Sequence, residues 1–519
     1  MPGFGTTKLA AAAIRCAFAL IVLFALPLIA DRPAQAQTEA VLYNFLDNDV
    51  SDAHFPNSRL APDGAGNFYG TTWIGGVGGW GTVFELSPNG SGGWNETVLY
   101  SFTGGADGQH PESGVVLDSA GNLYGTTQYG GATGFGVVYE LSPNGGSWTE
   151  TVLYSFCSAD FSCTDGALPH SNLITDHSGN LYGTTLSGGS GGYGTVFELS
   201  LSAGAWTEQV LYSPTDSTNY WIMAGVNMDA AGNLFGATAS TVFELSPNGS
   251  GGWTPTVLHT FAGGPKDGTD PRDAPVTDSA GNVFGTTYGG GPNNFGTVYK
   301  LSPITKGQKK GSWKEQVLHF FGGPAKDGNH PWAGIVLDAA GNIYGTTREG
   351  GKNNYGTVFG VVAPVGKGSY KEKVLWNFDW TDGLEPRGGL ILDSAGYLYG
   401  TTFNGGSSGA GVVFKVNPSA AATTTTLTSS PNPSTYGQAV TFTALITSSA
   451  EAPPDGETVS FMKGKTVLGT GTTSGGSASF STLTLRVGTT TVTAVYSGDF
   501  YFLGSKSNYV KQVVAKAMN

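Results

Sequence analysis

The chain has 519 residues, of which 82 are glycine and only 12% are charged. That composition argues against a helical protein and for a turn-dense, all-β one. The formal charge of −13 has no basic stripe to offset it, so neither nucleic acid nor an anionic membrane surface is expected as a partner.

The first element is a targeting segment. Lys8 and Arg15 precede an apolar run over residues 16–30, and Ala34-Gln35-Ala36 is a small-x-small cleavage signal. Residues 1–36 therefore read as a signal peptide, and the apolar run is short for a membrane span. No later stretch could be one, so no membrane insertion is expected once the signal is removed. Its loss takes away Lys8, Arg15, Arg32 and Asp31, leaving 22 basic and 37 acidic side chains and a formal charge of −15. The expected destination is extracellular, the cell surface or the periplasm.

Residues 37–418 carry a repeat. Asp-Ser-Ala-Gly-Asn-Leu-Tyr-Gly-Thr-Thr, a glycine loop and Gly-Val-Val-Tyr-Glu-Leu-Ser-Pro recur with variations from Asp63, Asp118, Asp176, Asp229, Asp278, Asp338 and Asp393. The steps between these anchors are 55, 58, 53, 49, 60 and 55 residues. A strand-rich period of this size points to propeller blades of four strands, a to d from the inside out. In the second repeat the strands are expected at 114–117, 122–127, 136–141 and 148–156. The region opens at 39–45 with a lone d strand and stops at 412–418 after a c strand, so the two ends should pair and close a ring of seven. Within the second-to-third connector, Cys157 and Cys163 are expected to form a small disulfide in an oxidising compartment.

An Ala/Thr linker follows at 419–425. Beyond it, residues 426–519 are rich in Thr, Ser and Val, with strand-like runs at 439–447, 458–462, 478–483 and 489–496. About seven short strands in under a hundred residues read as a β-sandwich. The expected fold is thus all-β, a seven-bladed β-propeller followed by an Ig-like β-sandwich.

The repeat unit, Asp-x-x-Gly-Asn-Leu-Tyr-Gly-Thr-Thr with Gly-Thr-Val-Phe-Glu-Leu, resembles the GloVer tandem-repeat proteins, exported bacterial proteins without an assigned activity. The segment 424–514, with Ser430-Pro-Asn-Pro433, Val440-Thr-Phe-Thr443 and Tyr496-Ser-Gly-Asp499, is similar to bacterial Ig-like repeat domains. That resemblance implies a spacer or adhesive module. Neither family brings catalytic residues to carry over.

A ligand or catalytic residue should break a repeat, because one site needs one constellation. The anchor aspartates do the opposite and read as turn residues. The entry motif Asp-Gly-x-x-Pro, at Asp107, Asp165, Asp267, Asp327 and Asp382, reads as an Asx-turn, with a weak cation site as the other reading. His259 and His319 replace the Tyr of Val-Leu-Tyr and are assigned its packing duty. His110, His170 and His330 stand beside the entry proline in three repeats and are tentative ligand residues. Glu112 and Glu385 are the accompanying acids for an enzymatic reading. Trp80, Phe135, Tyr193, Phe295 and Tyr355, in the b–c loops, read as inter-blade packing or as an aromatic rim. The fourth repeat has lost most of its glycine loop between Thr238 and Thr241, and Asn-Tyr-Trp-Ile-Met replaces its entry motif. Tyr220, Trp221 and Met223 are therefore the remaining ligand candidates. No Gly-x-Ser-x-Gly, His-Glu-x-x-His or phosphate loop is present. No catalytic residue, metal or cofactor is expected.

The resulting expectation is a monomeric exported binding or adhesive protein whose partner is an extracellular glycan or a surface protein. An enzyme acting on extracellular polysaccharide, as hydrolase or lyase, and a purely structural surface protein are the alternatives.

Overall fold

The computed structural model describes residues 39–46, 53–158, 162–215, 221–307, 310–322, 327–364, 368–418, 422–448, 453, 455–498 and 502–517. The expected signal peptide, Tyr220 and residues 419–421 of the Ala/Thr linker lie outside them. Every element among these residues is a β-strand, and no helix is long and apolar enough to cross a membrane. Strands of residues 39–416 form seven main antiparallel sheets, one per repeat, five of four strands and two of five, with two further two-stranded pairs. The fold is all-β and propeller-like. In the second repeat the strands are Val116–Leu117, Leu123–Thr127, Val137–Asn144 and Ser147–Ser155, so strand a is shorter than its sequence suggests.

The anchor turn explains the start of strand b. Asp63 Oδ1 accepts the amides of Ala65, Gly66 and Asn67 while its Oδ2 accepts the Asn67 side chain. Asp118 repeats the pattern and also accepts the Tyr124 hydroxyl. Next comes the glycine of Leu-Tyr-Gly-Thr-Thr. A Cβ on Gly70 would lie 2.6 Å from Phe84 of strand c, so that position must be bare for the ring to lie flat on the sheet. The two threonines have separate tasks. Thr72 Oγ1 meets Thr82 Oγ1 of its own strand c at 2.7 Å, while Thr71 Oγ1 donates to the Ser113 carbonyl of the next repeat at 2.8 Å.

The apolar core lies between sheets. Each cluster joins consecutive repeats, as with Tyr69, Val83, Leu123 and Tyr139 for the first and second. Another joins the seventh to the first through Tyr399, Val413, Phe45 and Phe84. The outer strand of the seventh sheet is Glu39–Asn44, antiparallel to Val412–Val416 with Val41 opposite Phe414. Pairing of the first strand with the last, expected from the unmatched ends, is present.

The C-terminal strands form two sheets. One holds Thr423–Ser430, Val440–Ser448 and Ser477–Thr482; the other is built mainly from Thr458–Lys463, Thr466–Thr472, Gly488–Gly498 and Val510–Ala515. Period-2 burial along Val440–Ser448 sends Val440, Phe442, Ala444 and Ile446 into a core with Val459, Phe461, Val492 and Tyr496.

Candidate functional site

The chain enters each repeat through a residue held at positive φ. These are Phe55, His110, Leu168, Trp221, Asp270, His330 and Glu385, at 52° to 61°. A non-glycine residue there is uncommon, and six of these precede proline, which ordinarily demands extended backbone. The backbone is held from both sides. His110 N donates to the Trp80 carbonyl of the preceding b–c loop, and His110 O accepts the Gln128 amide. His330 is fixed in the same way by Phe295 and Arg348. The strain, on the order of 1–3 kcal/mol per residue, is carried by these bonds. It places one side chain per repeat, of six residue types, at the same entry position, half-buried in all but Trp221.

Two residues later the chain turns inward. Asn57, Glu112, His170, Met223, Arg272, Trp332 and Arg387 occupy this position in the seven repeats and together line one mouth. Behind it lies an axial cavity of about 470 Å³ to which every repeat contributes, with apolar walls such as Leu60, Leu173, Ile335 and Leu390. Four arginines occur within residues 37–418. Arg59, Arg272 and Arg387 line the mouth, and Arg348 stands beside it. In a region this acidic, that concentration is the main electrostatic feature.

Aromatic faces organise these cations. The Arg272 guanidinium lies 4.2 Å from the Tyr288 ring centre and 4.4 Å from that of Trp332, with its Nη2 2.7 Å from Asp270. Arg348 and Arg387 approach the Trp332 ring at 5.3 and 5.8 Å, and Arg387 also covers Phe403 at 3.9 Å. Three guanidinium groups thus share one indole. Arg387 bonds Glu385 at 2.6 Å and Arg348 reaches the same carboxylate at 3.5 Å, so one acid serves two cations.

Opposite charges pair at the second and third repeats, where His170 Nε2 lies 2.7 Å from Glu112 Oε2. Burial alone would lower the His170 pKa, but the hydrogen bond and charge of Glu112 outweigh it and the net direction is up. For Glu112, burial pushes up and His170, followed by Arg387 and His110, pulls it down past its ordinary value. Both groups are therefore held charged. Asp273, enclosed in the channel wall, moves the other way: burial raises it despite amide bonds from Ala274 and Gly334 and the charge of Arg59.

The sequence-derived candidates divide accordingly. His110 and His330 occupy the strained rim. The former donates from Nδ1 to the Trp73 carbonyl at 2.9 Å, and the latter stacks on Tyr288 at 4.6 Å. His170 and Met223 belong to the inner mouth, so the three histidines do not form one group. Trp221 is 51% exposed on the rim, at the position of His110. Glu112 and Glu385 meet through Arg387. The b–c aromatics pack between repeats, as in the edge contacts of Trp80 with His110 and Phe295 with His330. Cys157 and Cys163 are disulfide-bonded with Cα atoms 4.3 Å apart. Sequence reasoning missed Asn57, Arg272, Trp332, Arg348 and Arg387. The signal was available, because the position two residues after the strained entry residue carries six different residue types in seven repeats.

No curated protein matches the chain. Among solved structures it is similar to the Hadza microbial sialidase, at 12% identity over 71% of this chain and 67% of that one, TM-score 0.34. The WD40 domain of SCAP from fission yeast matches at 9% over 73% and 98%, TM-score 0.34. A glucose dehydrogenase matches at 13% over 73% and 99%, TM-score 0.31. Scores this low carry no weight for function. The profile of the Gloeobacter/Verrucomicrobia repeat matches residues 31–241 and 238–484, and the chain belongs to that repeat family.

Proposed function

We propose that this is an exported binding protein whose ligand face is the axial mouth and whose ligand is an acidic glycan. In this reading residues 37–418 are a seven-bladed propeller, and residues 426–519 are an Ig-like sandwich that serves as a spacer. One observation carries it: every arginine of residues 37–418 gathers at or beside the mouth, three of the four over aromatic rings, in a chain that is otherwise strongly acidic. Guanidinium groups recognise carboxylates and sulfates, and indole faces stack on sugar rings. The varied identities at the mouth, six residue types in seven repeats, give the one-off constellation that a specific ligand requires. Trp221 and Met223, beside the shortened Thr238–Thr241 turn, extend the face sideways at the fourth repeat. Export is supported by the N-terminal pattern and by the Cys157–Cys163 bond.

A glycan array probed with the mature chain tests this. Retention of uronate-, sialate- or sulfate-bearing glycans without their turnover is the expected result. Retention of neutral glycans alone overturns the acidic assignment, and retention of none favours a purely structural surface protein. A hydrolase or lyase reading has one observation in its favour. Asp273, with its raised pKa, shares the mouth with the charged Glu112–His170 pair, so an acid and a base stand together. Release of shortened glycan in the same assay would establish it.

A further inference from the structure

Away from the mouth, a second kind of site recurs between outer strands. In the first, second, fourth and fifth repeats the third residue of Val-Leu-Tyr on strand d faces the entry aspartate that follows it and, across the interface, a glutamate on the next repeat's strand d. Where that residue is Tyr or Trp, it closes the arrangement by donating a hydrogen bond. Tyr100 donates to Asp107 at 3.0 Å, Tyr154 to Asp165 at 2.8 Å and Trp376 Nε1 to Asp382 at 2.8 Å. In the fourth and fifth repeats it is histidine, and the geometry opens. His259 Nε2 stands 3.6 Å from Asp267 Oδ1 and 3.9 Å from Glu315 Oε1. His319 Nε2 stands 3.4 Å from Asp327 Oδ2, with Glu372 completing the set.

We propose that His259, Asp267 and Glu315 form one site for a divalent transition ion of the zinc type, and that His319, Asp327 and Glu372 form a second. The donor set is imidazole plus two carboxylates, each presenting one ligand atom, and within each group these atoms lie within 4.8 Å of one another. A tetrahedral ion bound at about 2.0–2.2 Å holds its ligand atoms about 3.4 Å apart. The observed 3.4 to 3.9 Å is therefore too long for a hydrogen bond and close to the edge of a coordination tetrahedron. The Nε2 atoms of both histidines and Oε1 of Glu315 are buried without a hydrogen-bond partner. An imidazole that has pulled back from a carboxylate which Tyr or Trp would grip is placed to coordinate rather than to donate. A cation between two carboxylates in a partly desolvated interface also relieves their mutual repulsion.

The fourth coordination position is open at the first site. A groove lined by Ile304, Gly311, Ser312 and Trp313, with Lys310 and Lys314 among its walls, reaches His259 and Glu315 and admits water. The strand Trp313–Phe320 supplies Glu315 to the first site and His319 to the second, so the ions would clamp three consecutive repeats. That is a structural clamp, independent of what the axial mouth binds.

The test is calorimetric titration of the chelator-stripped mature chain with ZnCl2. Two equivalents per chain are expected, with a rise in melting temperature. His259→Tyr and His319→Tyr install the residue of the other repeats, which the fold already accommodates. Each should remove one equivalent, and the double variant should remove both while the circular dichroism spectrum stays unchanged. Glu315→Gln and Glu372→Gln provide a second reading, with at least tenfold weaker binding at the affected site. No uptake by the native chain overturns the proposal, as do two equivalents persisting in the double tyrosine variant.

Discussion

Glu150 and Glu208 show how far a repeat's packing alters one side chain. Burial, and then the charge of Asp107, pushes the Glu150 carboxyl up to about 7; burial and Asp165 do the same to Glu208. A carboxyl raised on folding favours the folded state while protonated, so its contribution is full below the ordinary range near 4.5 and disappears as pH rises through about 7. The melting temperature should therefore fall between pH 5 and pH 8. Glu150→Gln and Glu208→Gln should each recover about 1 kcal/mol at pH 8, after allowance for solvent screening, and almost nothing at pH 5. A pH series of thermal melts on the variants checks both signs. At the mouth, Glu112 is lowered and His170 raised, so that ion pair is fully formed between roughly pH 4.5 and 6.5 and weakens above the raised His170 value. Trp332→Ala removes the indole shared by three arginines. Glycan affinity should drop at least tenfold, whereas the melting temperature should shift little, because the ring is part-exposed at the channel rather than in a core cluster. A large stability loss with affinity intact would make Trp332 a packing residue only.

Single strands decide whether the ring of sheets holds. Glu39–Asn44 completes the seventh sheet, and Phe45 behind it is 1% exposed, meeting Phe84 edge-on at 5.2 Å. Asn44 Oδ1 accepts the Ser407 amide, and Thr401 Oγ1 donates to the Ser58 carbonyl, so side chains also stitch the two ends together. Deleting residues 37–46 should cost more than about 3 kcal/mol through the lost Phe45 alone, and it leaves an open sheet edge. The melt should move down sharply, and self-association should rise in sedimentation. Strand b offers a test in the opposite direction, by overfilling. Gly70→Ala places a methyl against the Phe84 ring and should destabilise by about 1–3 kcal/mol, measurable by urea unfolding. An alanine tolerated there would mean that the ring can tilt away.

Two core systems coexist in the molecule. The cluster around Phe442, Phe461 and Tyr496 draws only on residues 427–514, whereas the inter-repeat clusters draw only on residues up to Val416. Each region buries its own apolar surface, which is the condition for folding independently. Separately produced chains 37–421 and 422–519 should therefore both give cooperative melts, and the first should keep the full protein's glycan affinity. Loss of binding on removing the C-terminal region would show that it holds part of the ligand face.

Much of this was legible in the chain because it depends on neighbours in sequence. Asp118 reaches amides two to four residues on, Gly125 clears a ring in the adjoining strand, and the period-2 alternation of Val440–Ser448 names its buried face. Even closure could be read, since a lone d strand and an unfinished sheet are two halves of one count. The mouth was not legible in that way. Asn57, Glu112, His170, Arg272, Trp332 and Arg387 are each roughly a repeat or more apart, and no local preference says that this position, rather than the anchor aspartate, faces the axis. The curvature of packed sheets decides it, by turning a once-per-repeat position into a single lined opening. The same holds for His259, which sequence alone assigned to packing, and Glu315, which meet only because consecutive outer strands lie side by side. Turn chemistry and alternation act over a few residues, so the chain states them itself; charge and coordination act through space, so only the assembled ring brings their members together.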